Sequence, residues 1–498
     1  MKAKKDWRTR AVRWIALGLV VMMVAGVLVA ALLSAAMAEE TGCDLELTVL
    51  ENLDAVSVTQ TVHYQNGTGQ PLDQMIFQLA PNAFRRESTA PYETETMIDA
   101  YPDGFAAGGV EIRSVHFDGE PADWGVQGTD EAVLRVACDL APGALGVFQF
   151  QYELILPGAL GTLGTGDVGW RLTGFYPLPA VWDGEFVVER VSPVGESLLA
   201  DPMRYRATVN LPDTWQVAAP GVVRSEPAGE ARQNVTVEVE SARYFALALG
   251  RRYVEVSQAS ASGVSVRAFA TDRVAATRAA AAAARAVDTF SELFGAYPYG
   301  ALTVAQADLL DGLGQSGLIL LPDEYFSYAM RGELEYQVAL GTARQWFGNL
   351  VGSNPAEEPW LSESLPAFAA LVYYDRVYGA DRYVAELNAR VTPSLRLTIP
   401  GGVTVDSEAL AFGTVGDFLA VTRGRGAAVL HEIRSVLGED ALLGGMRLYA
   451  ARNAGKVATR ADFAAALSEA AGRDADGLLT ELLAEIDQYV GQALDWYE

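Results

Sequence analysis

The side chains best spaced for joint chemistry lie between Leu340 and Glu363, in the stretch LGTARQWFGNLVGSNPAEEPWLSE. Leu340 and Arg344 are four residues apart, the interval that puts two side chains on one helix face and lets a pair of ligands share an ion. The residue types forbid that use. Leucine has no lone pair and a guanidinium stays protonated at any working pH, so neither coordinates a cation. Glu363 contributes one carboxylate, against the three protein ligands that a catalytic zinc takes. The whole chain holds three histidines, His63, His116 and His431, with no ligand-like spacing, so a histidine-based zinc site or triad is not suggested either.

The elements that must position these residues follow from periodicity. Ala339, Ala343, Trp346, Phe347 and Leu350 recur at intervals of three and four, which predicts one stripe of an amphipathic helix. From about residue 44 to 255 the period is two: Leu45, Leu47 and Val49 alternate with polar neighbours, as do Phe148, Phe150, Tyr152 and Leu154, and Val235, Val237 and Val239. Turn dipeptides such as Asn66-Gly67 and Asp118-Gly119 separate these runs, predicting an antiparallel sandwich. Asn66-Gly67-Thr68 and Asn234-Val235-Thr236 fit glycosylation sequons, although a turn and a strand explain them without glycan. Beyond a small-residue passage at Ser257 to Gly263 the period becomes helical. Arg273 to Leu293 contains the run Ala279 to Ala284, and alanine is the best helix former. A strand over Leu302 to Ala307 comes next, then a helix ending near Tyr378-Gly379. Further helices are expected over Gly426 to Leu437, Glu439 to Ala454 and from Arg460 onward.

Composition bounds the function classes. The 498 residues are 50% hydrophobic and 20% charged, ordinary for globular material, with a net charge of −26. An acidic balance of this size disfavours nucleic acid and anionic lipid surfaces. The first 38 residues differ: Lys2, Lys4, Lys5, Arg8, Arg10 and Arg13 precede an uncharged run from Trp14 to Ala38. At about 1.5 Å per residue a helix over that run exceeds the roughly 30 Å of a bilayer core, so a single-pass anchor is expected, with a cytoplasmic N-terminus and an extracellular body. A signal peptide cleaved after Ala38 is the alternative. Cys43 and Cys138 form either one disulfide or two separate buried thiols.

The segment Arg344-Gln345-Trp346-Phe347, with Pro359-Trp360-Leu361-Ser362-Glu363 after it, resembles the active-site stretch of the M1 aminopeptidases, a gluzincin family with the signature HExxHQWF followed by PWLxE. Weaker phrases in the order expected of bacterial M1-type proteins support the resemblance: Leu79-Ala80-Pro81-Asn82, Gly174-Phe175-Tyr176-Pro177 and Gly295-Ala296-Tyr297-Pro298-Tyr299. The resemblance covers nearly the whole chain beyond the first 38 residues. It implies a multidomain α+β protein, with an N-terminal antiparallel β-sandwich, the saddle domain, over residues 39–255. A mostly helical, thermolysin-like domain would follow over 256–498, after the basic flank and apolar segment at 1–38.

The same resemblance implies a degenerate catalytic site. The two histidine ligands fall on Leu340 and Arg344 and the general-base glutamate on Gly341, while the third ligand survives as Glu363. The glutamate that holds a substrate amine in the family falls on Gly314, and the tyrosine that stabilises the oxyanion falls on Arg423. No catalytic residue and no metal are therefore expected, with zinc only on the reading that the chain is an M1 peptidase with an unorthodox or misaligned site. Arg344 would neutralise Glu363, or Arg344 and Arg423 would together hold a peptide carboxylate or acidic side chain. The leading expectation is a non-catalytic, membrane-anchored extracellular binding or scaffold module. An envelope protein with a purely structural role is the most distant alternative.

Overall fold

Alternation sets the first strand: Leu45, Leu47 and Val49 are buried while Glu46 and Thr48 between them are exposed, which gives Gly42–Leu50 one dry face. The computed structural model describes residues 41–188, 190–195 and 198–493. Gly42–Leu50 lies in an eight-stranded sheet between Met203–Pro212 and Ala55–Gln65. Its pairing with Ala55–Gln65 is antiparallel, as the turn dipeptides predict. Its pairing with Met203–Pro212 is parallel, Gly42 opposite Arg204 and Thr48 opposite Asn210. Periodicity carries no strand direction, so this pair leaves no signal in the residue pattern. A four-stranded sheet built around Leu72–Gln78 and Val133–Leu140 covers the dry face. Phe77 meets the rings of Phe148 and Phe150 edge-on at 5.3 and 5.0 Å, which joins the two sheets through one apolar core.

Asn66 is buried, and its Nδ2 donates to the carbonyls of Gln70, Leu140 and Ala141, so this sequon asparagine serves a turn. Cys43 and Cys138 are free thiols, one in each sheet.

A five-stranded sheet opens the second half, ordered Val254–Ala259, Ser265–Ala270, Ala301–Ala307, Leu318–Pro322 and Leu313–Gln315. Its middle three strands are parallel and its short last strand is an antiparallel edge. Helix α1, Arg273–Phe294, covers it; Asp272 caps the helix by accepting the Ala275 N–H at 2.8 Å. The alanine run has its use here, since Ala279, Ala280, Ala283 and Ala286 are fully buried and let neighbouring elements approach closely. Helices α2 (Arg331–Ala343), α3 (Pro359–Tyr378), α4 (Ala380–Arg390), α5 (Gly426–Leu437), α6 (Glu439–Arg452), α7 (Arg460–Ala471) and α8 (Asp476–Ala493) complete a mostly helical domain.

Two expectations need correction. The helical stripe through Leu350 stops early, because α2 ends at Ala343 and the chain continues in turns past Gly348, whose φ of +124° no helix allows. Trp346 and Phe347 are nonetheless buried, the Trp346 indole donating to the Gly295 carbonyl at 3.1 Å. The expectation of a single-pass membrane protein is also overturned: among the described residues no helix is long and apolar enough to cross a membrane. The run from Trp14 to Ala38 on which that expectation rested lies outside the described residues.

One buried side chain ties the strand domain to the helical one. Arg243 is fully buried and donates to the carbonyls of Asn349 at 3.2 Å, Lys456 at 2.9 Å and Ala200. Gly352 leaves room for it, since a Cβ there would lie 2.6 Å from Arg243 Cζ. Gly352→Ala is expected to lower unfolding free energy by about 1–3 kcal/mol through overpacking, measured as a lower urea midpoint with an unchanged m-value.

Candidate functional site in the cleft between the domains

Arg344, Glu363 and Arg423 come from three separate elements and meet at one point. Arg344 is the residue that ends α2, where its carbonyl accepts the Asn349 side-chain amide at 3.0 Å. The same Nδ2 donates to the Gly314 carbonyl at 3.0 Å, which ties the helix end to the edge strand Leu313–Gln315. Glu363 lies in the first turns of α3, which Pro359 opens at a position where a missing N–H costs nothing. Arg423 lies in a π-helical turn, Ala420–Arg425, running into α5. Such turns are rare and cluster at functional sites. This one is pinned to α3: Ser364 Oγ donates to the Thr422 carbonyl at 2.6 Å, and a Cβ on Gly426 would fall 1.9 Å from that hydroxyl.

Both guanidiniums converge on the same carboxylate oxygen. Arg344 Nη2 and Arg423 Nε each lie 2.5 Å from Glu363 Oε2. The Arg423 contact is an aligned hydrogen bond, whereas Arg344 makes an ion pair without hydrogen-bond alignment. Arg344 and Glu363 are 8% and 5% exposed, so solvent screens the pair poorly. Asp311 completes a quartet: its Oδ2 lies 3.0 Å from Arg423 Nη2, and its Oδ1 accepts the Gly312 N–H at 2.8 Å. Two cations face two anions.

Burial pushes the Glu363 carboxyl up, but the charges of Arg344 and Arg423 outweigh it and hold the group below the usual glutamate range. Asp311 is also held low, burial opposed by Arg423, the Gly312 N–H and Arg344. Burial lowers Arg423, and the two carboxylates overcome that and raise it well beyond its ordinary value.

The remaining positions singled out in the sequence are occupied by close packing. Leu340 is 4% exposed and belongs to the apolar core of the helical domain. A Cβ on Gly341 would come within 2.8 Å of Ile319 Cγ2, so α2 lies against the sheet where only glycine fits. A Cβ on Gly314 would meet Arg344 Cδ at 3.0 Å, so the arginine stem occupies the space above that residue. Asp311 was missed because its partner stands far along the chain; the only signal was an acid just ahead of a glycine-rich strand.

A zinc ion does not fit this donor set. Zinc needs several lone pairs converging from anionic or neutral donors, and here the converging groups besides Glu363 are two cations. Among the described residues no three His, Cys, Asp or Glu side chains gather in a way that could hold a metal. None of the three histidines lines the cleft; His431 Nδ1, for example, lies 2.7 Å from the Tyr383 hydroxyl.

The quartet stands at the wall of a cavity of about 480 Å³ between the strand domain and the helical domain. A β-rich domain followed by a mostly helical one matches the two-domain M1 peptidase fold. Residues 313–482 match the Peptidase family M1 domain. Among solved structures the chain is similar to the M1 zinc metallopeptidase from Deinococcus radiodurans, at 18% identity and TM-score 0.61, covering 89% of this chain and 92% of that one. A point mutant of that enzyme bound to a Tyr-Ser-Ala substrate gives TM-score 0.64 at 18% identity, over 89% and 93% of the two chains. At these identities the likeness establishes the fold. Among curated proteins the chain is 28% identical over 172 residues to aminopeptidase N of Lactococcus lactis subsp. lactis, covering 32% of this chain and 19% of that protein. It is 25% identical over 296 residues to aminopeptidase N of Streptomyces lividans, 54% of this chain and 34% of that one. The chain thus spans about a fifth and a third of these relatives.

Glu363→Ala leaves the buried Arg344 without its carboxylate and the half-buried Arg423 with Asp311 alone, and is expected to cost about 3–5 kcal/mol of stability, read by urea unfolding. The depressed carboxylates fix the sign of the pH dependence: they bind fewer protons folded than unfolded, so their stabilisation is present above their ordinary values of 4.5 and 3.8 and is lost as pH falls below them. Glu363→Gln is expected to show a shallower acid loss of stability below pH 4.5 than the parent chain.

Proposed function

We propose that this chain is a non-catalytic M1-type module that keeps the interdomain cleft for binding and has lost the hydrolytic centre. The observation that carries the reading is the single oxygen, Glu363 Oε2, shared at 2.5 Å by two guanidinium nitrogens. Metal-assisted hydrolysis needs a Lewis acid that lowers the pKa of a bound water, a base to take its proton, and a donor for the oxyanion. An arginine–carboxylate network supplies no Lewis acid and no base: a guanidinium does not give up its proton, and a carboxylate held low by two cations is a poor proton acceptor. Gly341 supports the same reading, since the strand bearing Ile319 closes the position where a base would stand on α2.

The closest competing reading keeps zinc and turnover on a different set of donors. Plasma mass spectrometry of the purified chain together with an aminoacyl p-nitroanilide assay separates the two. The expected result is less than a tenth of an equivalent of zinc and no turnover above a heat-inactivated control. Stoichiometric zinc, with turnover abolished by a chelator and restored by zinc, would refute the proposal.

A further inference from the structure

The wall of the cavity of about 480 Å³ carries five charged side chains, Glu93, Asp311, Arg344, Glu363 and Arg423. Four of them close on one another in the quartet. Arg344 Nη2 keeps an N–H without an aligned acceptor, but Glu363 Oε2 lies 2.5 Å from that nitrogen and offsets its charge. What Arg344 has to spare is a hydrogen bond for a neutral oxygen.

Glu93 stands apart. It comes from the strand domain, and its Oε1 accepts at 2.6 Å the N–H of Val415, the residue that opens the short helix Val415–Leu419. That bond steadies the carboxylate without neutralising it, and among the described residues no cation pairs with it. The wall therefore holds one negative charge in excess. Glu93 is half-buried, on a wall that also carries Phe84, Leu163, Phe245 and Phe418, so its charge is screened less than one on open surface.

An unused hydrogen-bonding group stands on the same wall. Gln315 is 4% exposed and lies on the edge strand Leu313–Gln315, on the face that carries Leu313 and opposite to that of Gly314. Its main-chain carbonyl accepts from Gln345 Nε2 at 3.0 Å, but its side-chain amide bonds to no described residue. Nearby hydroxyls are spent within the protein: Thr173 donates to the Thr162 carbonyl at 2.6 Å and Tyr176 to the Tyr205 hydroxyl at 2.9 Å. A buried amide without a partner is costly, and a ligand that supplies one recovers that cost.

We propose that this cavity binds a small organic monocation: an ammonium or guanidinium paired with Glu93, on an uncharged body whose polar group meets the Gln315 amide. The proposal deepens the proposed function and rests on its reading of the quartet as closed and free of metal. The site is distinct from the amine position that the M1 resemblance puts on Gly314, which has no side chain and is covered by the Arg344 stem. A carboxylate on the ligand would meet the wall's excess charge without gain.

Isothermal titration of the full chain tests this with three probes of similar length: 6-aminohexanamide, hexanamide and the monoamide of adipic acid, which are cationic, neutral and anionic at neutral pH. The cation is expected to bind with a Kd about tenfold or more below that of either companion. Glu93→Gln keeps an oxygen for the Val415 N–H and removes the charge, so it is expected to bring the cation to within about twofold of hexanamide. Gln315→Leu is expected to weaken the cation about fivefold while leaving its advantage over hexanamide intact. Urea midpoints confirm that both variants remain folded. Silence from the cation, equal or tighter binding of the anion, a preference that survives Glu93→Gln, or an unchanged Kd in Gln315→Leu would overturn the proposal. Zinc with turnover in the parent chain would instead sink the reading of the quartet beneath it, so the two failures are separable.

Discussion

A carboxylate taken out of water has to be neutralised, and Glu363 is neutralised by two guanidiniums at one oxygen. Much of the local architecture serves that contact. The end of α2 fixes Arg344 through Asn349, the edge strand is tied to the same amide, and the π-helical turn delivers Arg423 because Ser364 fastens it to α3. Asp311 then balances the second arginine. A buried pair of this kind is weak evidence for net stability, since apolar replacements of the whole set are often neutral. Its effect is on specificity: it fixes how α2, α3 and the Ala420–Arg425 turn sit relative to one another.

The relation between the domains depends on a second group of buried arginines. Arg243 reaches carbonyls of three distant segments, and Arg171, 1% exposed, pairs with Asp308 at 3.1 Å while donating to the carbonyls of Ala159, Gly161, Gly169 and Thr165. Asp308 in turn accepts the N–H groups of Val168 and Gly169. A planar guanidinium with five donors can bind several carbonyls at once where a lysine could not. The cleft therefore has walls from two domains held in register by hydrogen bonds as well as by apolar contact.

Most of the fold was legible in the sequence because its signals are local. Period-two alternation marked strands such as Gly42–Leu50, and the alanine run marked α1, whose helix begins at Arg273 as expected. What stayed hidden depends on contacts between distant segments. The parallel pairing of Gly42–Leu50 with Met203–Pro212 leaves no trace in periodicity. The stop of α2 at Ala343 follows from the left-handed turn at Gly348 and from the cavity that Trp346 fills against Phe290 and Tyr297. Of the candidate site, residue types at Leu340, Arg344, Glu363 and Arg423 could be read directly, whereas Asp311 required coordinates to find.

Gly341 carries a consequence of its own. On the proposed reading, regaining a proton acceptor at that place on α2 is not a matter of one exchanged letter, because any side chain there would strike Ile319 before it reached the cleft. The neighbouring strand would have to retreat or lose a branch first, and that retreat would open a void in the domain's interior with no benefit until the second change arrived. Such a sequence of steps acts as a ratchet: the geometry that accommodates the vacancy makes the ancestral chemistry progressively harder to recover.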